Sequence, residues 1–236
     1  MRSSLTAVGL AGALSTLVLT GCGESDGDPI EWNRGSTDLV LQLRTLRSLE
    51  PTGVAGQLPD FSLYGDGMAV RGGASGPTTA HLDDDAVAGL LAEAAELADD
   101  AATGAAGPDA TVVRLRYTAD GATHTVDVPS TDPDVERLLR RATDAGADVT
   151  PYAAPAVAVL ATSGAGAEPA PWPLGTLEGG TTVGGSYCSL LNGDRARRAV
   201  DLAMTSPDSA WTSGGRAYAV AVRPLLPDEQ DCSDLD

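Results

Sequence analysis

The sequence predicts an α+β fold, with antiparallel β-hairpins packed by two or three helices. Short alternating apolar runs come in pairs around Asp-Gly turns, which marks hairpins. Elsewhere, apolar residues recur at helical spacing behind acidic or Asn residues suited to cap a helix. In chain order, Asp38 to Arg47 alternates Leu39, Leu41 and Leu43 with Val40, Gln42 and Arg44, a period-2 strand ended by Pro51 and Gly53. Phe61-Ser-Leu63-Tyr64 and Met68-Ala-Val70 flank Gly65-Asp66-Gly67 and predict a hairpin with a type I′ turn. A glycine-rich break at 72–76 follows. Asp83-Asp84-Asp85 then opens a helix to about Ala102, its apolar face being Val87, Leu90, Leu91, Ala94 and Leu97.

Val113, Leu115 and Tyr117 lead into Asp120-Gly121 and return through Thr123, Val126 and Val128, a second hairpin. Thr131-Asp132-Pro133 caps a second helix with Val135, Leu138, Leu139 and Ala142 inside and Gly146 at its end. Hairpin followed by helix thus occurs twice; duplication and coincidence both account for it. Pro155 to Ser163 reads as a buried strand, and 164–173 as a Gly, Ala and Pro linker. Asn192-Gly-Asp194 is placed to cap a helix to about Met204, with Ala196, Ala199, Val200 and Ala203 inside. Ala217 to Val222 is a strand, and the prolines of Arg223-Pro-Leu-Leu-Pro227 make that stretch extended but outside a central strand.

The N-terminus follows a different plan. Arg2 precedes an uncharged apolar run, Leu5 to Leu19, as in a secretory signal. Leu19-Thr20-Gly21-Cys22 resembles the bacterial lipobox at all four positions. That resemblance implies a diacylglyceryl group on Cys22 and cleavage before it. A transmembrane helix is the competing reading, since 3–23 is just long enough to span. Five glycines in that run, and Glu24, Asp26 and Asp28 after it, favour the signal. The resulting organisation is a signal peptide over 1–21, an acylated cysteine and flexible tether over 22–36, an α+β domain with two hairpin–helix units over 37–165, and a C-terminal subdomain over 166–236. The protein is then held on the outer face of the cell membrane through lipid on Cys22.

Of the 236 residues, 15 are basic, all arginine, and 33 are acidic. Loss of the signal removes Arg2 and leaves 14 arginines against 33 acids, a side-chain balance of −19. Such a charge argues against nucleic acid as a partner and against adhesion to an anionic bilayer by charge alone. The lack of lysine removes the P-loop lysine, the Schiff-base lysine and the Ser-x-x-Lys motif together. If Cys22 carries lipid, Cys188 and Cys232 remain, and outside the membrane that pair is expected to be oxidised.

Catalytic motifs are not found. His81 and His124 stand alone, with no Gly-x-Ser-x-Gly elbow to make a triad. Neither Cys-x-x-Cys nor His-Glu-x-x-His is present, so no zinc site is expected. Gly164-Ala-Gly166 follows a strand as a dinucleotide loop does, but Pro169 stands where the third glycine belongs, so no cofactor is expected. Asp83-Asp84-Asp85, Asp99-Asp100 and the C-terminal acids lack EF-hand spacing. Trp172, Trp211 and the tyrosines suit either a ligand groove or an aliphatic core short of large side chains.

Two stretches carry a family resemblance. Leu58-Pro-Asp-Phe-Ser-Leu-Tyr-Gly-Asp-Gly67, and the run from Cys188 through Trp211 and Gly214-Gly215 to Arg223-Pro-Leu-Leu-Pro-Asp-Glu-Gln-Asp-Cys232, resemble an uncharacterised family of secreted and lipid-anchored actinobacterial proteins. The resemblance implies export and the cysteine pair, and brings no catalytic residue. The expected function is a lipid-anchored envelope protein that binds a protein or small molecule without turnover. A carboxylate-based envelope hydrolase and a purely structural accessory protein are the alternatives.

Overall fold

The computed structural model describes residues 30–47, 54–73, 76–101, 110–164, 169–206 and 210–235. Cys22, the signal peptide and most of the expected tether lie outside them. Two sheets organise the chain. The first contains β1 (Leu39–Leu46), β2 (Phe61–Tyr64), β3 (Met68–Arg71), β4 (Thr78–His81), β5 (Val112–Ala119), β6 (Ala122–Pro129) and β7 (Ala147–Pro151). Their order is β6-β5-β1-β2-β3-β4-β7, with every pairing antiparallel.

Helices α1 (Asp84–Ala101) and α2 (Pro133–Asp144) cover one face of this sheet. Alternation along β1 sends Leu41 and Leu43 to that face, where they meet Leu90, Leu91 and Leu138. Asp83 caps α1, its Oδ1 accepting from Ala86 N at 2.8 Å, and Asp132 caps α2 through Asp134 N at 2.9 Å. Glu93 of α1 accepts from both Arg137 and Arg141 of α2.

The second sheet contains β8 (Ala156–Ser163), β9 (Ala170–Pro171), β10 (Thr181–Val183), β11 (Ser186–Asn192), β12 (Ala210–Ser213) and β13 (Arg216–Pro224), in the order β10-β11-β8-β13-β12-β9. It is antiparallel except where β9 meets β12. Helix α3 (Gly193–Thr205) packs on it through Ala196 and Ala199. Trp172 and Trp211 meet edge to face at 5.2 Å within this core, so they act as filling and not as a ligand groove. Cys188 and Cys232 are bonded, with S–S 2.04 Å.

Several expectations need correction. The turn at Gly65-Asp66-Gly67 is not type I′: only Gly67 has positive φ, at 87°, and Gly67 N donates to Tyr64 O at 2.9 Å. A three-residue loop ending in a left-handed glycine replaces it. The second hairpin does have positive φ at both central residues, Asp120 at 52° and Gly121 at 76°. Strand β4 separates the first hairpin from α1, so the two hairpin–helix units are not equivalent. Asn192 sits at the N-cap of α3 without a capping side-chain bond.

Proline 224 also ends a central strand. It is tolerated because β12 pairs only as far as Ala219, leaving Pro224 with β8 as its single neighbour. The chain passes from the first sheet to the second at 152–155, because β7 pairs with β4 while β8 pairs with β11 and β13. Ile30 and Trp32, within the segment expected as tether, pack against the first core.

Candidate functional site

The face of the first sheet away from its helices meets the C-terminal tail. Tyr64, Val70 and Leu226 form a small buried cluster there, joined by Leu58 and Tyr152. The tail is built to serve two cores. Extended backbone sends successive side chains to opposite sides, so Leu225 enters the second sheet's core while Leu226 enters the cluster on the first. Tyr64 Oη donates to Asp228 at 2.7 Å, and Tyr152 Oη donates to the Leu225 carbonyl at 2.8 Å. Burial, then the Glu229 and Asp228 charges, push the Tyr152 phenol up to about 12.

Beside this seam the sheets leave a cleft. On β1, Arg44 alternates away from the helices. It stands opposite Arg114 of β5, and Arg114 is clamped by both oxygens of Asp127 at 2.8 Å. Asp60 Oδ2 accepts from Thr45 N at 2.6 Å. One cavity of about 350 Å³ is lined by Arg44, Arg47, Gln57, Leu58 and Asp60. A second, of about 370 Å³, shares Gln57, Leu58 and Asp60 and reaches Val222, Arg223 and Pro224 of the other sheet. Burial, followed by repulsion from Arg223, lowers the pKa of the Arg44 guanidinium, which stays charged.

Arg223 is the unusual residue. Its side chain is 0% exposed and pairs with Glu229 through Nη2, while Glu229 Oε2 accepts from Leu226 N at 2.8 Å. Desolvation raises the Glu229 carboxyl above its ordinary range despite the pairing. The Nε and Nη1 groups of Arg223 have no hydrogen-bond partner among the described residues. Buried polar groups normally find one, so this cation is incompletely satisfied by the chain around it.

The residues singled out from sequence fall elsewhere. His124 stacks on Tyr117 at 4.8 Å and is exposed. His81 borders an open groove of about 660 Å³ with Asp66, Asp83 and Asp148. Asp66 and Asp83 already accept from Met68 N and Ala86 N, as turn and cap residues. Among the described residues no three His, Cys, Asp or Glu side chains are grouped to hold a metal ion, and no helix is long and apolar enough to cross a membrane. Sequence reading passed over Arg44 and Arg223. Their one signal is a charged residue continuing an otherwise apolar strand, as in Val220-Ala-Val222-Arg223. No protein-family model, no curated protein and no solved structure matches this chain.

Proposed function

We propose that this is a lipid-anchored envelope protein, tethered at Cys22 to the outer face of the cell membrane, which binds a ligand in the arginine-lined cleft without chemical turnover. The observation that supports the reading is the separation between the point where the chain enters the first sheet and the cleft. The chain joins the first sheet where Glu31 exchanges hydrogen bonds with Asp120 and Trp32 donates to the Gly65 carbonyl. That is the end of the sheet from which β1 starts. The cleft residues Arg44 and Arg47 lie at the other end of β1. At 3.3 Å per residue the strand carries the cleft roughly 20 Å from the point where the chain enters the sheet. Arg44, Arg47 and Arg223 line these two cavities although the mature chain would have 14 arginines against 33 acids.

The test is labelling of exporting cells with a radioactive fatty acid. Wild-type chain should be labelled, recovered with membranes and degraded by protease added to intact cells. Cys22→Ser should lose the label and accumulate as precursor. Labelling of that variant, or recovery of unlabelled wild type in the soluble fraction, removes the anchored reading.

A further inference from the structure

We infer that Asn192 is a site of spontaneous covalent modification, losing its side-chain amide as ammonia and becoming aspartate or isoaspartate at the junction of β11 and α3. The inference is independent of the anchor and of the cleft. Its first ground is the dipeptide. Asn192-Gly193 sets a carboxamide beside a backbone nitrogen that no neighbouring side chain shields, because glycine has no Cβ. Attack of the Gly193 nitrogen on Asn192 Cγ forms a C–N bond and closes a succinimide ring. The bond from Cγ to Nδ2 breaks, and that nitrogen leaves as ammonia with the proton from Gly193. One water then opens the ring. Cleavage between the ring nitrogen and Cγ gives aspartate; cleavage between the nitrogen and the main-chain carbonyl carbon gives isoaspartate.

The second ground is what leaves these atoms free. An N-cap asparagine ordinarily accepts a first-turn N–H. Asn192 makes no such bond and is exposed, so nothing among the described residues holds its carboxamide. A Cβ built on Gly193, at φ 57°, would meet nothing within 4 Å, so the junction also has room to move. The backbone is the brake. Asn192 is extended, with φ −121° and ψ 161°, and its ψ bond has to turn before Cγ reaches the nitrogen. Asn192–Ala156 is the last pair of the β11–β8 ladder, and such ends open most easily. The reaction therefore runs through fraying of one ladder end. The other asparagine, Asn33, is a built-in contrast: Arg34 follows it, and its carbonyl is pressed against Gly65. The two products differ in effect. Aspartate brings a charge to the positive end of α3. Isoaspartate adds a main-chain carbon between Leu191 and Ala196, both of which are buried.

The test holds the full chain, purified from exporting cells, for weeks at mildly alkaline pH in heavy-oxygen water. Peptide mass spectrometry then reads each asparagine. Peptides spanning Asn192 should take up heavy oxygen and separate into aspartate and isoaspartate forms, while those spanning Asn33 stay unchanged. Gly193→Ala should lose most of the conversion. Its Cβ enters open space, so the fold should survive, read as an unchanged far-ultraviolet spectrum. Asn192→Gln keeps the glycine and should lose the conversion entirely, because its larger imide ring closes far more slowly. An unconverted Asn192 in the native chain, beside conversion in a synthetic peptide of the same residues, would mean that the ladder end stays closed and overturns the inference. Undiminished conversion in Gly193→Ala, or conversion of Asn33 as fast as that of Asn192, overturns it as well.

Discussion

Tyr64 of β2 and Asp228 of the C-terminal tail share a 2.7 Å hydrogen bond across 164 positions of sequence. The phenol is fully buried, and its pKa is driven up by desolvation first and the Asp228 charge second. The bond therefore persists through any ordinary alkaline range. It ties the first sheet to the tail that the second sheet holds by a disulfide. Tyr64→Phe removes the donor and keeps the ring. A hydrogen bond to a charged group is worth about 1.5–3 kcal/mol, so urea unfolding should show a loss near 2 kcal/mol. An unchanged midpoint would mean that the seam is held by Leu226 and its neighbours alone.

The Arg223–Glu229 pair should behave asymmetrically. Removing one partner strands the other in a site where both are almost wholly buried, at a cost of about 3–5 kcal/mol. Arg223→Met and Glu229→Leu should each reach that range. The double variant should be much less destabilised than the sum, because desolvation of both ions disappears with them. Strict additivity in a double-mutant cycle would show that the two charges do not interact.

Two turn glycines offer a paired test. At Gly121, with φ 76°, a methyl group meets nothing within 4 Å. Gly121→Ala should thus show only the backbone penalty of about 1 kcal/mol. At Gly67, with φ 87°, the added carbon lies 2.4 Å from the Leu82 carbonyl oxygen. Gly67→Ala should cost clearly more, by about 1–3 kcal/mol beyond Gly121→Ala. Comparable melting temperatures for the two variants would contradict the close approach of the β2–β3 turn to Leu82, which follows β4.

Acid dependence has a readable sign at Asp127. Hydrogen bonding to Arg114 comes first among the causes that hold its carboxyl below the ordinary 3.8. A depressed folded pKa gives stability that is present above 3.8 and fades as pH falls through the folded value. Both side chains are about half exposed, so solvent screening keeps the contribution below about 1 kcal/mol. Arg114→Met should raise the Asp127 titration seen by NMR. Its stability deficit relative to wild type should shrink as pH drops below 4. Glu229 works in the opposite direction: its raised carboxyl favours the folded state at low pH and withdraws that support as pH rises from 4.5.

What the sequence made legible was what local pattern encodes. Asp120-Gly121 has the turn chemistry its hairpin needs, and Asp132 with Pro133 marks the start of α2. Val87, Leu90, Leu91, Ala94 and Leu97 do form the buried face of α1. Strands β4, β7, β9 and β12 escaped because they are five residues or fewer and, unlike the equally short β2 and β3, have no Asp-Gly turn beside them. Their partners supply the pattern: Thr78–His81 becomes a strand because β3 and β7 lie on either side. The cleft was hidden for a stronger reason. Arg44 and Arg223 belong to different sheets, and nothing in either neighbourhood of sequence announces that the tail brings them together.

The Cys188–Cys232 bond closes a loop with a sequence separation of 44, containing α3, β12 and β13. Its consequence reaches beyond stability. A protease that cuts one peptide bond anywhere from Ser189 to Asp231 releases no fragment, because both new ends remain attached through sulfur. The nicked protein would run at full length on an unreduced gel and split only after reduction. Tyr64–Asp228 and Leu226 would still hold the cut tail in place, so damage in this region stays hidden until the thiols are freed.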